Sequence, residues 1–335
     1  MGFDILSDGK TILEASSSQL EELMQTAFES RRNVFGDDLL CYSPTAYPYK
    51  IADHKQSSPH NFISISVTGT ACSLGCDHCD GHLLRGMIPA VTPEELVRKC
   101  QEAKMRGAEG VLISGGSDSK GHVPLDRFGE AIKTVKTELD LKVVIHTGLV
   151  SVKTAELLQE ASIDAAMLDI IGDEQVAENV YHIEDGPSRM NASLSLLRDA
   201  DIPTVPHVLV GINYGKIGGE LEALQMIADN NPAAVVVIAL NPVRKTPMES
   251  VSPPSPETIG RIMTIARRGM EKTPLLLGCA RPMGQHKIDS DKNAVMSGAN
   301  GIAYVSQEGV DFARDRGLKP VFMDVCCSLA YQIFQ

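Results

Sequence analysis

The chain has 335 residues, a net charge of −12, 43% hydrophobic and 22% charged residues, 28 Gly and 18 Pro. That length suffices for one large α/β domain or two ordinary ones, and the balance excludes a disordered chain, a collagen and a coiled coil. Excess negative charge argues against nucleic acid as a partner, no apolar run reaches the roughly 20 residues of a membrane span, and the N-terminus (MGFDILSDGKTILEASSSQLEELM) lacks a basic start followed by an apolar stretch, so the expectation is a soluble cytoplasmic protein without a membrane partner.

In chain order, residues 1–60 read as an N-terminal extension: an amphipathic helix near Ser18–Val34, then an extended stretch, CYSPTAYPYK. Short β-branched runs bounded by Gly, Pro or polar residues follow at Phe62–Val67, Gly110–Gly115, Lys142–His146, Ala165–Ile171, Thr204–Val210, Ala234–Leu240, Leu275–Cys279 and Ile302–Ser306. Helical patterns alternate with them. The clearest starts at Thr92, where TPEE supplies an N-cap, a proline in the first turn and two acids. Others run near Leu125–Glu138, Ser151–Glu160, Ser188–Asp199, Glu220–Asp229, Glu257–Arg268 and His286–Met296. Eight alternations over residues 61–310 predict a (β/α)8 TIM-type barrel, complete or incomplete, with a doubly wound open sheet as the runner-up. Residues 311–335 read as a cysteine-containing tail closing on the barrel mouth.

Eight cysteines are too few for a disulfide scaffold of this length. Cys72, Cys76 and Cys79 stand as C-x3-C-x2-C directly after the first barrel strand, at its carboxyl end, where barrel enzymes keep their active sites. Three thiolates in a short glycine-containing loop bind a soft metal centre. On a four-iron cubane they leave one iron open, whereas structural zinc closes its sphere with four ligands. The competing readings of the loop are a zinc-stabilised turn, for which the sandwiched His78 makes an awkward fourth ligand, and three unrelated core thiols.

This spacing in this place resembles the radical S-adenosylmethionine (SAM) superfamily. The resemblance implies that Cys72, Cys76 and Cys79 hold a [4Fe–4S] cluster whose free iron chelates SAM. It implies an electron donor of the ferredoxin or flavodoxin type. It also implies that a deoxyadenosyl radical abstracts hydrogen from unactivated carbon, the protein supplying position and dryness. His78 occupies the place of an aromatic beside the adenine, and Ser114-Gly115-Gly116-Ser117 that of the segment accepting bonds from the SAM ammonium. His146, Thr147 and Asp169, at the ends of the third and fourth barrel strands, are expected to point polar groups into the mouth; His207 and Asn241 are further candidates.

Of the remaining cysteines, Cys100 falls on the buried stripe of the Thr92 helix and reads as core. Cys41, Cys279, Cys326 and Cys327 are expected to hold a second, auxiliary iron–sulfur cluster, with one tail cysteine facing it if the tail is extended. The alternative is unrelated free thiols. A second cluster facing a radical initiator suggests sulfur insertion. The helix ending RRNVFG and the LGCARP segment resemble biotin synthase, and Arg281 matches an arginine near that enzyme's second cluster, although no cysteine stands on the second, third or fifth barrel strand.

A closer match, over ISVTG-x-x-C, ISGGSDSKGHVPL, HTGLV, DIIGD, PHVLVGI, LNPVRKTPM and LGCARP, is the two-protein type of lipoyl synthase within the biotin-synthase-like group. That resemblance implies a sulfurtransferase of lipoate biosynthesis. Its partners would be an octanoylated carrier protein and a homologous companion synthase, sulfur entering at C6 or C8 of the octanoyl chain from a consumed cluster. The apolar chain is expected to enter a tunnel lined by aliphatic strand ends. The competing readings are another biotin-synthase-like enzyme (biotin synthase, a maturase, a rearrangement enzyme) and a cluster-bearing non-catalytic partner of a homologue.

Overall fold

The computed structural model describes residues 2–45 and 47–334; Ala46, within the CYSPTAYPYK stretch, lies outside the described residues. The sequence predicts eight barrel strands, and each is present as a parallel strand: β2 (Phe62–Ser66), β4 (Gly110–Ser114), β5 (Lys142–His146), β6 (Ala165–Met167) continued as β7 (Asp169–Ile170), β8 (His207–Val210), β9 (Val235–Ala239), β10 (Leu275–Leu277) and β11 (Gly301–Ala303). A two-residue strand, β3 (Ile88–Pro89), flanks β2. The hydrogen-bonded orders are β3-β2-β4-β5-β6 and, continuing from β7, β7-β8-β9-β10-β11, with an Ala166–Thr204 bridge between the two runs.

Two further strands correct the expected domain layout. β1 (Asp38–Tyr42), from the N-terminal extension, pairs in parallel with β11, and β12 (Lys319–Met323), from the tail, pairs with β1. Residues 1–60 and 311–335 are therefore partly built into the sheet. Strand β1 reads DLLCY, short and with an acid at its start, and β12 carries Pro320, which removes a ladder donor; both features suit strands next to an edge and weaken the sequence signal. The barrel does not close through a continuous ladder. The seam between β2 and the β1/β12 pair is joined by side chains: Thr45 Oγ1 donates to Phe62 O (2.8 Å), Phe62 N donates back to Thr45 Oγ1 (3.0 Å), and Asn61 Nδ2 donates to Asp324 O (3.1 Å).

The helices follow their sequence signals. α3 (Pro93–Met105) starts at Thr92, whose side chain accepts from Glu95 N, and α5 (Val152–Glu160) starts at Ser151, which accepts from Thr154 N. α2 (Ser17–Phe35), α4 (Gly129–Thr137), α7 (Gly186–Asp199), α8 (Glu220–Asp229), α9 (Pro256–Gly269) and α10 (Gln285–Met296) lie where the apolar periodicity places them. α1 (Ser7–Glu14), α6 (Glu174–Val176) with the π-turn Ala177–Tyr181 after it, and α11 (Gln307–Asp315) were not anticipated. No helix among the described residues is long and apolar enough to cross a membrane.

Strand alternation divides the core in two. Odd faces such as Leu39, Cys41, Ile63, Ile65, Val111 and Ile113 pack outward against the helices. Leu40, Tyr42, Phe62, Val144, Ala165, Met167, Val205, Val236, Leu276 and Ala303 face the lumen. The tail's last segment, Val325, Cys327, Leu329, Ala330 and Tyr331, belongs to that inner cluster. The Tyr331 hydroxyl donates to Asp164 O just before β6, and Phe334 meets Phe35 edge-on at 5.3 Å. These contacts sit at the amino ends of the strands. The tail thus plugs the lumen from below instead of folding across the mouth.

Candidate metal centre

The loop after β2 turns on glycines. Gly69, Gly75 and Gly81 all have positive φ (61°, 61° and 67°), a conformation glycine adopts without steric penalty. Short turns close around the cysteines: Cys79 N donates to Cys76 O (3.1 Å), Asp80 N to the same oxygen (2.9 Å), and His82 N to Cys79 O (2.7 Å). Cys76 is buried, while Cys72 and Cys79 are partly exposed. Burial, reinforced by the neighbouring thiols, pushes Cys76 well up, and burial takes Cys79 to about 11. Burial thus keeps the Cys76 and Cys79 thiols protonated until a metal displaces the proton on binding.

The end of β4 is fitted to this loop. A Cβ added at Gly116 would lie 2.0 Å from Ala71 O and 2.6 Å from Cys72 Cβ, so only glycine allows the approach. Gly116 N donates to Thr68 Oγ1 (2.7 Å) and Ser73 N to Ser117 O (2.8 Å), tying the two loops together. Ser114 Oγ donates to His146 O (3.0 Å), linking β4 to β5. Among the described residues the Gly115 and Gly116 carbonyls accept no backbone bond, which leaves them available to a ligand's ammonium. The three-thiol donor set and this glycine-lined cradle fit a cubane cluster carrying SAM.

Facing the cysteine loop across the mouth stand His146, Asp169 and His207. Their ligand atoms lie within 4.8 Å of one another. The register pairs Asp169 with His207 across β7 and β8, and His146 with Met167 two residues before Asp169, so all three project inward. His146 Nε2 is 3.4 Å from Asp169 Oδ1. Burial opposes charge on Asp169, but the bond to His146, aided by His207 and His78, holds its carboxyl at about 2. Burial likewise opposes charge on His146, yet Asp169 raises it overall. His207 is driven to about 4 by burial and by the charge of His146. The result is a His146–Asp169 pair that favours charge beside a His207 that resists it.

His78 packs on Tyr181 with ring centroids 5.0 Å apart, and burial pushes its imidazole down. Its Nδ1 is buried without a partner, as is Nδ1 of His207. Tyr181, in the π-turn, went unread in the sequence because no periodic signal marks that turn. Thr147 does not reach the mouth: it is fully buried, and its hydroxyl is spent on the Gly148 and Met167 carbonyls (2.8 and 3.3 Å). Asn241 lies exposed beyond β9.

The structure divides the second cysteine group. Cys279, exposed toward the lumen, and the tail thiols Cys326 and Cys327 lie close enough to perturb one another's ionisation. The Cys327 thiol hydrogen-bonds to Cys326 and lowers it, and Ser328 Oγ also donates to Cys326 Sγ (3.0 Å); His146 adds a favourable charge. Cys41 stands apart. Its neighbours Leu40 and Tyr42 face the lumen, so the strand pleat turns Cys41 into the helix layer, 3.7 Å from Leu39 O. Arg281 is also withdrawn from the lumen, pairing with buried Asp291 at 2.7 Å. Cys100 is fully buried on α3, as its stripe predicts.

Comparison with known proteins agrees with this geometry. Residues 66–218 match the profile of the Radical SAM superfamily. Biotin synthase of Vibrio cholerae serotype O1 is 23% identical over 265 residues, which cover 75% of this chain and 73% of that protein. Among solved structures, methylornithine synthase aligns with a TM-score of 0.67 at 19% identity, covering 98% of this chain and 96% of that one. The FeFe-hydrogenase maturase HydG from Carboxydothermus hydrogenoformans aligns at 0.66 and 15%, covering 99% and 78%. The cysteine loop seated on the glycine end of β4 falls inside the 66–218 segment that matches the Radical SAM superfamily, and over three quarters of its length the chain is similar to biotin synthase.

Proposed function

We propose that this protein is a sulfur-inserting radical SAM enzyme, one of two cooperating synthases that build the lipoyl group on an octanoylated carrier protein. The observation that carries the reading is the second thiol group: Cys279, Cys326 and Cys327 gather on the lumen side, close enough to perturb one another, and Cys326 also feels the charge of His146 at the mouth. When bound, the cluster at Cys72, Cys76 and Cys79 and its SAM supply a radical that takes hydrogen from an unactivated carbon. The residues of the chain do the positioning. Gly115 and Gly116 bring bare backbone to the ligand's amino-acid end, and His78 with Tyr181 walls its nucleotide side. Cys279 with the tail cysteines would hold the sulfur-donating centre, which would supply a sulfide to the carbon radical.

Leu329, Ala330 and Tyr331 of the tail fill the lower lumen, which leaves the carboxyl strand ends as the place for the aliphatic tunnel. The octanoyl chain therefore enters from above, over a rim where Tyr47, Leu83 and Met283 are exposed. The test is mass spectrometry of an octanoyl-lysine peptide incubated with SAM and reductant, with and without the companion protein. One or two added sulfur atoms support the reading, and their loss in Cys279→Ala with SAM cleavage retained assigns the donor centre. SAM cleavage without any sulfur transfer, with about four irons per chain, would favour a non-sulfurating relative instead.

A further inference from the structure

Asp77 lies between Cys76 and His78, and no step above uses it. Three residues from two separate segments converge on it. Its main-chain N–H donates to Val180 O at 2.9 Å. Its carboxylate accepts from the Tyr214 hydroxyl at 2.5 Å and lies 3.2 Å from His182 Nε2. Val180 and His182 bracket Tyr181, the residue whose ring meets His78. One residue, through its main chain on one side and its carboxylate on the other, therefore fastens the cysteine loop to both ends of the wall that faces it.

The Tyr214 end of this strap is itself anchored. Tyr214 belongs to the loop between β8 and α8, and Glu220 at the start of α8 accepts from Gly211 N (2.8 Å) and Gly218 N (2.5 Å) across that loop. Tyr214 and His182 both hold left-handed backbone (φ 49° and 57°), which bulky residues rarely adopt unless their surroundings fix it. The Asp77 side chain is 17% exposed, whereas Tyr214 is 40% exposed on the rim. Two strained residues converging on one carboxylate serve no evident purpose in the core, since neither packs there.

We propose that Asp77 is a positioning residue. Strapped by Tyr214 and His182, it sets the Cys76–Cys79 turn and the His78–Tyr181 wall in the arrangement that binds the SAM nucleotide. This rests on the radical SAM assignment and not on sulfur insertion. Loss of a phenolic hydroxyl from an exposed rim residue leaves the fold intact, so Tyr214→Phe is the informative variant, with Asp77→Asn and the double variant completing a cycle.

Two measurements read the strap. Hydrogen exchange on the cluster-free full chain should show amides across 76–80 and 177–183 exchanging about tenfold faster in Tyr214→Phe, with the rest of the chain unchanged. On the reconstituted, unreduced protein, equilibrium binding of SAM should weaken by about tenfold at unchanged iron content, and the double variant should be no worse than the worse single one. Unchanged exchange at those amides, unchanged SAM affinity, additive losses in the double variant, or faster exchange throughout the chain would each overturn the proposal. Failure of the wild-type chain to take up iron at all would instead count against the radical SAM reading, which keeps the two separable.

Discussion

At the residue scale, the mouth is governed by a few titratable groups whose states are set by each other. His207 illustrates the consequence. Its folded pKa of about 4 lies below the ordinary histidine value of 6.5, so between those limits the unfolded chain binds more protons. Stability from this group is thus complete above about 6.5 and is lost as the pH falls through about 4. His207→Gln should flatten the fall in denaturant midpoint between pH 6.5 and 4, while the wild type shows a clear slope; equal slopes in both would contradict the burial of a neutral imidazole. His146 behaves oppositely, because its raised pKa favours the folded state at lower pH.

Residue types at the site were legible to different degrees. The triplet is read from its spacing and strand position, whereas the ligand role of Ser114–Ser117 rests on the resemblance as well as on its place at a strand end. Thr147 reads as a mouth residue because it follows His146, yet the chain turns there and its hydroxyl satisfies two carbonyls. Asp77, His182 and Tyr214 have no local signature, since their meeting depends on three loops at once.

At the scale of elements, the fit between β4 and the cysteine loop is the feature most open to test. Gly116→Ala puts a methyl group where Ala71 O and Cys72 stand, an overpacking that costs about 1–3 kcal/mol where the surroundings cannot give. The expected outcome is a folded barrel by circular dichroism with iron lost from the triplet. Full iron uptake by this variant would show that the two loops separate freely. The strands expected from the apolar pattern are found at β2 and β4 to β11 because each of those is an apolar run between polar breaks. β1 and β12 escape the pattern for a physical reason: they add to an edge already formed by β11, and their pairing is decided by long-range contacts, not by their own composition. The same pairing settles the fate of Cys41, because one residue of pleat separates the lumen from the helix layer.

For the whole molecule, the arrangement is a parallel barrel left open to ligands at the carboxyl ends and stoppered at the amino ends by its own tail. The sequence announces the barrel and the metal loop. It does not announce the stopper, since nothing in LKPVFMDVCCSLAYQIFQ says which surface will accept its aromatic residues. That stopper brings Cys326 and Cys327 up beside Cys279, so any auxiliary centre depends on tail docking as well as on the cysteines themselves. The most direct measurement of the central claim is electron paramagnetic resonance of the anaerobically reconstituted, reduced protein, before and after addition of SAM, beside a Cys72→Ala variant. The expected result is a reduced four-iron signal that shifts on SAM addition in the wild type and is absent from the variant. Zinc in place of iron at the triplet, or a signal indifferent to SAM and to Cys72, would contradict it.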